Sequence, residues 1–129
     1  MSRIPRLKIK HDDAWYHLCS RIAAHRGEFP LSDRAPMRRL LQIIEHYSQI
    51  YFCEVAAFCV MGNHYHLVVK FDRPRQVSRS ELRARTRLVY PSKAAQEAID
   101  LWSEEQWERY RQRLFDLSEY MRNVQAVFA

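Results

Sequence analysis

Two histidines stand one residue apart in the run Met61-Gly62-Asn63-His64-Tyr65-His66-Leu67-Val68-Val69-Lys70-Phe71. Successive side chains of a strand point to opposite faces, so His64 and His66 share one face while Tyr65, Leu67 and Val69 take the other. Neutral imidazole is a common metal ligand, and a same-face pair on a rigid strand is half of a metal site. A divalent Mg²⁺ or Mn²⁺ would need further oxygen donors, and Zn²⁺ at least one more ligand. A surface or structural His-x-His pair is the competing reading. His17 falls in an earlier aromatic segment and reads as a hydrogen-bonding neighbour of the pair; Glu54 is a weaker third-ligand candidate. His25, in a loop, and His46, on a helix, have no ligand spacing.

Tyr120 is the tyrosine best placed in sequence to offer a nucleophilic hydroxyl, but it shares a stripe with Leu117, Met121 and Val124, which favours the core reading over the nucleophile. Arg73, Arg75, Arg79, Arg83, Arg85 and Arg87 follow the histidine segment, in a chain of net charge +6. Guanidinium groups bind phosphate bidentately, so this cluster is either a nucleic-acid contact surface or a solvated helix face. Tyr90, Trp102 and Trp107 could stack on unpaired bases or belong to the core.

Residues 1–13 form a basic lead-in, and residues 14–129 are of single-domain size. The alternation in Ala14–Ile22 predicts a strand with Trp15, His17, Cys19 and Arg21 on one face. A loop over 23–31 precedes a helix that starts at Ser32-Asp33 and runs to about Gln49, with apolar residues at helical spacing. Residues 51–61 are almost wholly apolar, which predicts a mostly buried strand. Gly62-Asn63 then suits a tight turn at positive φ. After residue 71 the pattern is helical throughout, with starts at Ser78, Ser92, Ser103 and Ser118. The order β-α-β-β followed by helices is an α+β arrangement, the first part of a ferredoxin-like domain without its fourth strand. Cys19, Cys53 and Cys59 read as buried thiols. No apolar run has the length of a membrane span and no signal-like segment opens the chain, so no membrane partner and a cytoplasmic location are expected.

Met61-Gly62-Asn63-His64-Tyr65-His66-Leu67-Val68-Val69 resembles the HUH motif (histidine, hydrophobic, histidine) of the REP-associated tyrosine transposases, with Gly62 where the family commonly has Pro or Ser. Trp15-Tyr16-His17-Leu18 with Arg21 is similar to the family's opening strand, and Phe115–Arg122 to a late helix. The resemblance spans roughly residues 14–129. It implies a divalent cation on His64 and His66, single-stranded or hairpin DNA as partner, and a tyrosine attack that leaves a 5′-phosphotyrosine. The family's nucleophile has an Asn or Gln four residues on, and no tyrosine after His66 has one. Tyr120 comes nearest, with Val124 at that place. The expectation is therefore a catalytically impaired, DNA-binding domain cut before its nucleophile. A nucleic-acid-binding remnant without chemistry and a hydrolase using the histidines without a tyrosine are the alternatives. A sheet edge left open by a lost strand would also permit a homodimer.

Overall fold

The computed structural model of the chain describes residues 8–22 and 27–128. Most of the basic lead-in, His25 and the end of the chain at Ala129 lie outside them. Strand β1 (Ala14–Arg21) forms where the alternation predicts it: Ala14, Leu18 and Ser20 are buried, while Trp15, His17, Cys19 and Arg21 are exposed. A 3₁₀ turn, Pro30–Ser32, leads into α1 (Arg34–Ile50), with Asp33 at the cap position but without a side-chain capping bond. Strands β2 (Cys53–Met61) and β3 (His64–Phe71) follow as a hairpin. Four helices complete the order: α2 (Arg79–Val89), α3 (Lys93–Asp100), α4 (Glu104–Arg113) and α5 (Leu117–Phe128).

The sheet is antiparallel, ordered β1-β3-β2. The fold is thus the expected α+β arrangement, β-α-β-β and then helices, with three strands among the described residues. Putting the third strand in the centre brings its residues between both partners. Arg21, His64 and Met61 form one cross-strand row, and Cys19, His66 and Cys59 the next.

Tyr65, Leu67, Val69 and Phe71 of β3 are at most 4% exposed and pack under Leu40, Ile43, Ile44 and Ile50 of α1 and Tyr120, Met121 and Val124 of α5. Burying each such side chain contributes about 1.5–3 kcal/mol, which fixes the register of β3 and hence which face its histidines take. Among the described residues the helices cover this face alone. On the other face His17, Cys19 and Val68 are open to solvent.

Four expectations need correction. Strand β2 is mostly exposed, because it lies at the sheet edge and only one face meets helices; Phe58 is 57% exposed. Its register shifts between Val55 and Ala57, so the apolar run does not mark a strand buried on both faces. For the same reason Cys19 and Cys59 are exposed, and only Cys53 is partly buried. The turn at Gly62-Asn63 has no positive φ. Glycine is required there by close approach instead: a Cβ on Gly62 would stand 2.8 Å from Phe29 Cδ1. The turn is held by its carbonyls, which accept from the Leu31 N–H (Gly62 O, 2.7 Å) and the Ile22 N–H (Asn63 O, 2.7 Å). Finally, α5 is capped by Asp116, whose Oδ1 accepts from the Ser118 N–H at 2.8 Å, whereas Ser78, Ser92 and Ser103 cap their helices as the sequence predicts.

Candidate functional site

His64 and His66 project together from β3 onto the uncovered face, with ring centroids 5.3 Å apart. On each ring the Nδ1 nitrogen is engaged by a neighbour. His64 Nδ1 lies 3.1 Å from Asn63 Oδ1. A carboxamide oxygen only accepts, so the proton sits on Nδ1 and Nε2 keeps its lone pair. His66 Nδ1 lies 2.9 Å from His17 Nε2, and the two rings stack at 5.0 Å. In the tautomer that puts the shared proton on His66 Nδ1, His66 Nε2 carries a lone pair, toward which the thiol of Cys19 stands at 3.9 Å.

This donor set fits two positions of a cation's shell. Asn63 and His17 would act as the outer partners that orient the imidazoles if these held a cation. Among the described residues no group of three or more His, Cys, Asp or Glu side chains is arranged to hold a metal ion. Further ligands would come from water or from a phosphate. Glu54 is not brought to the pair: it pairs with Lys70 at 3.7 Å, four residues along β3 from His66, or about 13 Å of strand. His46 lies on α1, against Tyr47.

A profile for IS200-like transposases matches residues 11–122. The chain belongs to that family. Among solved structures similar to this transposase-family chain is a REP-associated tyrosine transposase bound to a REP hairpin, 19% identical, with a TM-score of 0.46. The match covers 72% of the present chain and 55% of that one, so the chain spans about half the length of that relative. No curated protein matches it.

Within this IS200-like chain Tyr120 is not brought to the histidines. Its side chain is fully buried on the helix-covered side of the sheet, edge-on to Phe71 and Tyr51. Its hydroxyl lies 3.1 Å from Ser48 Oγ and donates to the Ile44 carbonyl at 3.4 Å. Burial raises its pKa above the ordinary tyrosine value. The other tyrosines also lie elsewhere: Tyr16 and Tyr65 face the helices, and Tyr47, Tyr51, Tyr90 and Tyr110 belong to the helical layer.

The arginines divide into two groups. Arg79 pairs with Glu104 and lies over Trp107, Arg83 pairs with Asp100, and Arg85 pairs with Glu81. Arg85 also donates to the carbonyls of Gln49, Ile50 and Tyr51 and lies 3.7 Å above the Phe52 ring, closing the end of α1. Arg73, Arg75 and Arg87 have no carboxylate partner among the described residues. Sequence reasoning did not single out Asn63 or Arg21 as site residues. Arg21 is exposed and directly opposite His64. The alternation of β1 puts Arg21 on the right face, but only the β1–β3 register, over some forty residues of intervening chain, sets it beside the motif.

Proposed function

We propose that this IS200-like chain binds single-stranded, hairpin-bearing DNA across the open face of its sheet, with a divalent cation (Mg²⁺ or Mn²⁺) held by His64 and His66. The observation that carries the reading is the pairing of His64 with Asn63 and of His66 with His17 through Nδ1, which leaves the Nε2 of each ring for a cation when Nδ1 holds the proton. When bound, such a cation polarises a phosphate as a Lewis acid. The chain's own residues do the rest: Arg21 would receive a phosphate beside His64, Trp15 offers a ring 56% exposed on the same face, and Arg73 and Arg87, without carboxylate partners among the described residues, would meet phosphates farther along the strand, whereas Arg75 lies 5.0 Å over the Phe52 ring. Because its tyrosines lie off this face, residues 8–128 bind DNA and cation without offering a tyrosine nucleophile, so no covalent DNA adduct forms.

The test combines Mn²⁺ titration calorimetry with gel shifts on a labelled hairpin-bearing single strand, followed by a denaturing gel. The His64→Ala/His66→Ala double variant is expected to lose Mn²⁺ binding and the Mn²⁺-dependent part of DNA affinity. Mn²⁺ affinity unchanged in that variant would sink the metal reading. An adduct that Tyr120→Phe removes would overturn the assignment of Tyr120 to the core. A metal-dependent nick without an adduct would instead identify a hydrolase.

A further inference from the structure

The turn that enters the histidine strand is held from outside by the chain between β1 and α1. The Ile22 N–H donates to Asn63 O and the Leu31 N–H to Gly62 O, both at 2.7 Å, and Leu31 is anchored in the core at 2% exposure. Phe29 comes two residues before Leu31 and stands against Gly62. A Cβ on Gly62 would meet Phe29 Cδ1 at 2.8 Å, Cβ at 3.1 Å and Cγ at 3.2 Å. At 56% exposure the ring adds little to the core. What it does is fill the space beside residue 62.

That wall is firm. Turning the ring relieves Cδ1 and Cγ, but Cβ moves only with the Phe29 backbone. The backbone is fixed in turn: Phe29 O accepts from the Ser32 N–H at 3.0 Å, and Pro30 restricts the residue before it. Gly62 has no positive φ, so a side chain there is opposed by the Phe29 contact and not by backbone strain. A shift at residue 62 reaches His64 directly. Met61 pairs with His64, so only Gly62 and Asn63 lie in the turn, and Asn63 must absorb any displacement. Asn63 Oδ1 lies 3.1 Å from His64 Nδ1. Lengthening that distance to about 3.6 Å ends the hydrogen bond.

We propose that Phe29 is a positioning residue for His64. Its side chain walls off residue 62 and so sets Asn63 against His64 Nδ1, which keeps the proton there and Nε2 unprotonated. As a residue of the cation site, Phe29 rests on the reading that His64 and His66 hold a divalent cation. As the residue that sets the His64 tautomer, it does not.

Phe29→Ala, Gly62→Ala and the double variant test this with two readouts. Nitrogen-15 NMR of the imidazoles at about pH 8, where an ordinary histidine is neutral, reads the His64 tautomer with no cation present. Calorimetry reads Mn²⁺ affinity. His66 is the internal control, because its Nδ1 is engaged by His17 of β1 and not by the turn. Gly62→Ala is expected to lose the Nδ1–H form of His64, keep the parent's His66 signals and bind Mn²⁺ about tenfold more weakly. Phe29→Ala, at an exposed position, gives the same changes to a smaller degree, since the turn keeps its two backbone bonds. The double variant recovers the His64 signal and most of the affinity that Gly62→Ala loses, because the methyl group enters the space the ring has left. General loss of stability lowers the melting temperature without singling out His64, and a second truncation does not reverse it. If Gly62→Ala does not fold, the His64 signal of Phe29→Ala decides. A parent His64 protonated on Nε2, His64 signals unchanged in the single variants, or a double variant no better than Gly62→Ala overturns the proposal. A parent with the Nδ1–H tautomer that binds no Mn²⁺ sinks the cation reading instead, and the tautomers of the variants still decide the role of Phe29.

Discussion

At His64 the informative partner is Asn63, because the nearest neighbour in sequence decides which ring nitrogen is left for a ligand. The turn residue thus links backbone geometry to chemistry: its carbonyl closes the hairpin on Ile22 and its side chain orients the imidazole. On the proposed metal reading, Asn63→Ala should weaken Mn²⁺ binding about 10–100-fold, the usual cost of losing an outer partner, with the melting temperature nearly unchanged. Titration calorimetry on the variant reads this directly, and parent-like affinity would remove Asn63 from the site. A second residue-scale outcome concerns Cys53. Burial, helped by the charge of Asp72, pushes its thiol up to about 12 from an ordinary 9.0, and burial likewise pushes Tyr51 up to about 12 from 10.0. The folded state holds these protons more tightly than the unfolded chain does. Their contribution to stability is complete below the unfolded values and is lost as pH rises through the folded ones. Urea melts should therefore show stability falling from about pH 9 upward. In Cys53→Ala that fall should begin nearer pH 10, where the tyrosines start to ionise when unfolded.

Among the elements, α2 shows why the cationic pattern could not be divided from sequence. Six arginines between residues 73 and 87 look alike in a linear reading, yet Arg85 closes the C-terminal end of α1 and Arg87 has no such task. Charge-assisted bonds to helix-end carbonyls contribute about 1.5–3 kcal/mol, so Arg85→Ala should lose about 2 kcal/mol of folding free energy. Arg87→Ala should stay within about 0.5 kcal/mol of the parent, as surface changes do. Chemical denaturation of the two variants separates these outcomes. What was legible follows the same division. Local signals were reliable: the alternation of β1 and β3, the stripe that buries Tyr120, and three of the four expected serine caps. Long-range facts were not. The exposure of β2 depends on its place at the sheet edge, the His17–His66 contact on strand register, and the fate of Arg79 and Arg83 on Glu104 and Asp100, 25 and 17 residues away. Gly62-Asn63 was expected to suit the turn through positive φ, whereas the steric demand at Gly62 comes from Phe29.

For the whole molecule, a net charge of +6 overstates nothing about its sum but says little about where a polyanion would sit. Ion pairs tie up Lys8, Lys70, Arg79, Arg83, Arg85, Arg111 and Arg122 within the described residues. Phosphates meet these cations only by competing with carboxylates already in place, whereas Arg21, Arg73 and Arg87 meet no such competitor. Counterion release makes the distinction measurable. Each phosphate neutralised on a single strand adds about −0.7 to the slope of log K against log salt. On the proposed DNA reading, Arg73→Gln/Arg87→Gln should make that slope shallower by about 1.4 while leaving stability near the parent value. Arg79→Gln/Arg83→Gln should do the reverse, lowering the melting temperature through lost contacts to Trp107, Glu104 and Asp100 with little change of slope. Affinity for one single strand, measured at several salt concentrations for both double variants, decides between them. If Arg79→Gln/Arg83→Gln alone changes the slope, the DNA path runs over the α2–α4 surface instead, and the internal ion pairs there open when DNA binds.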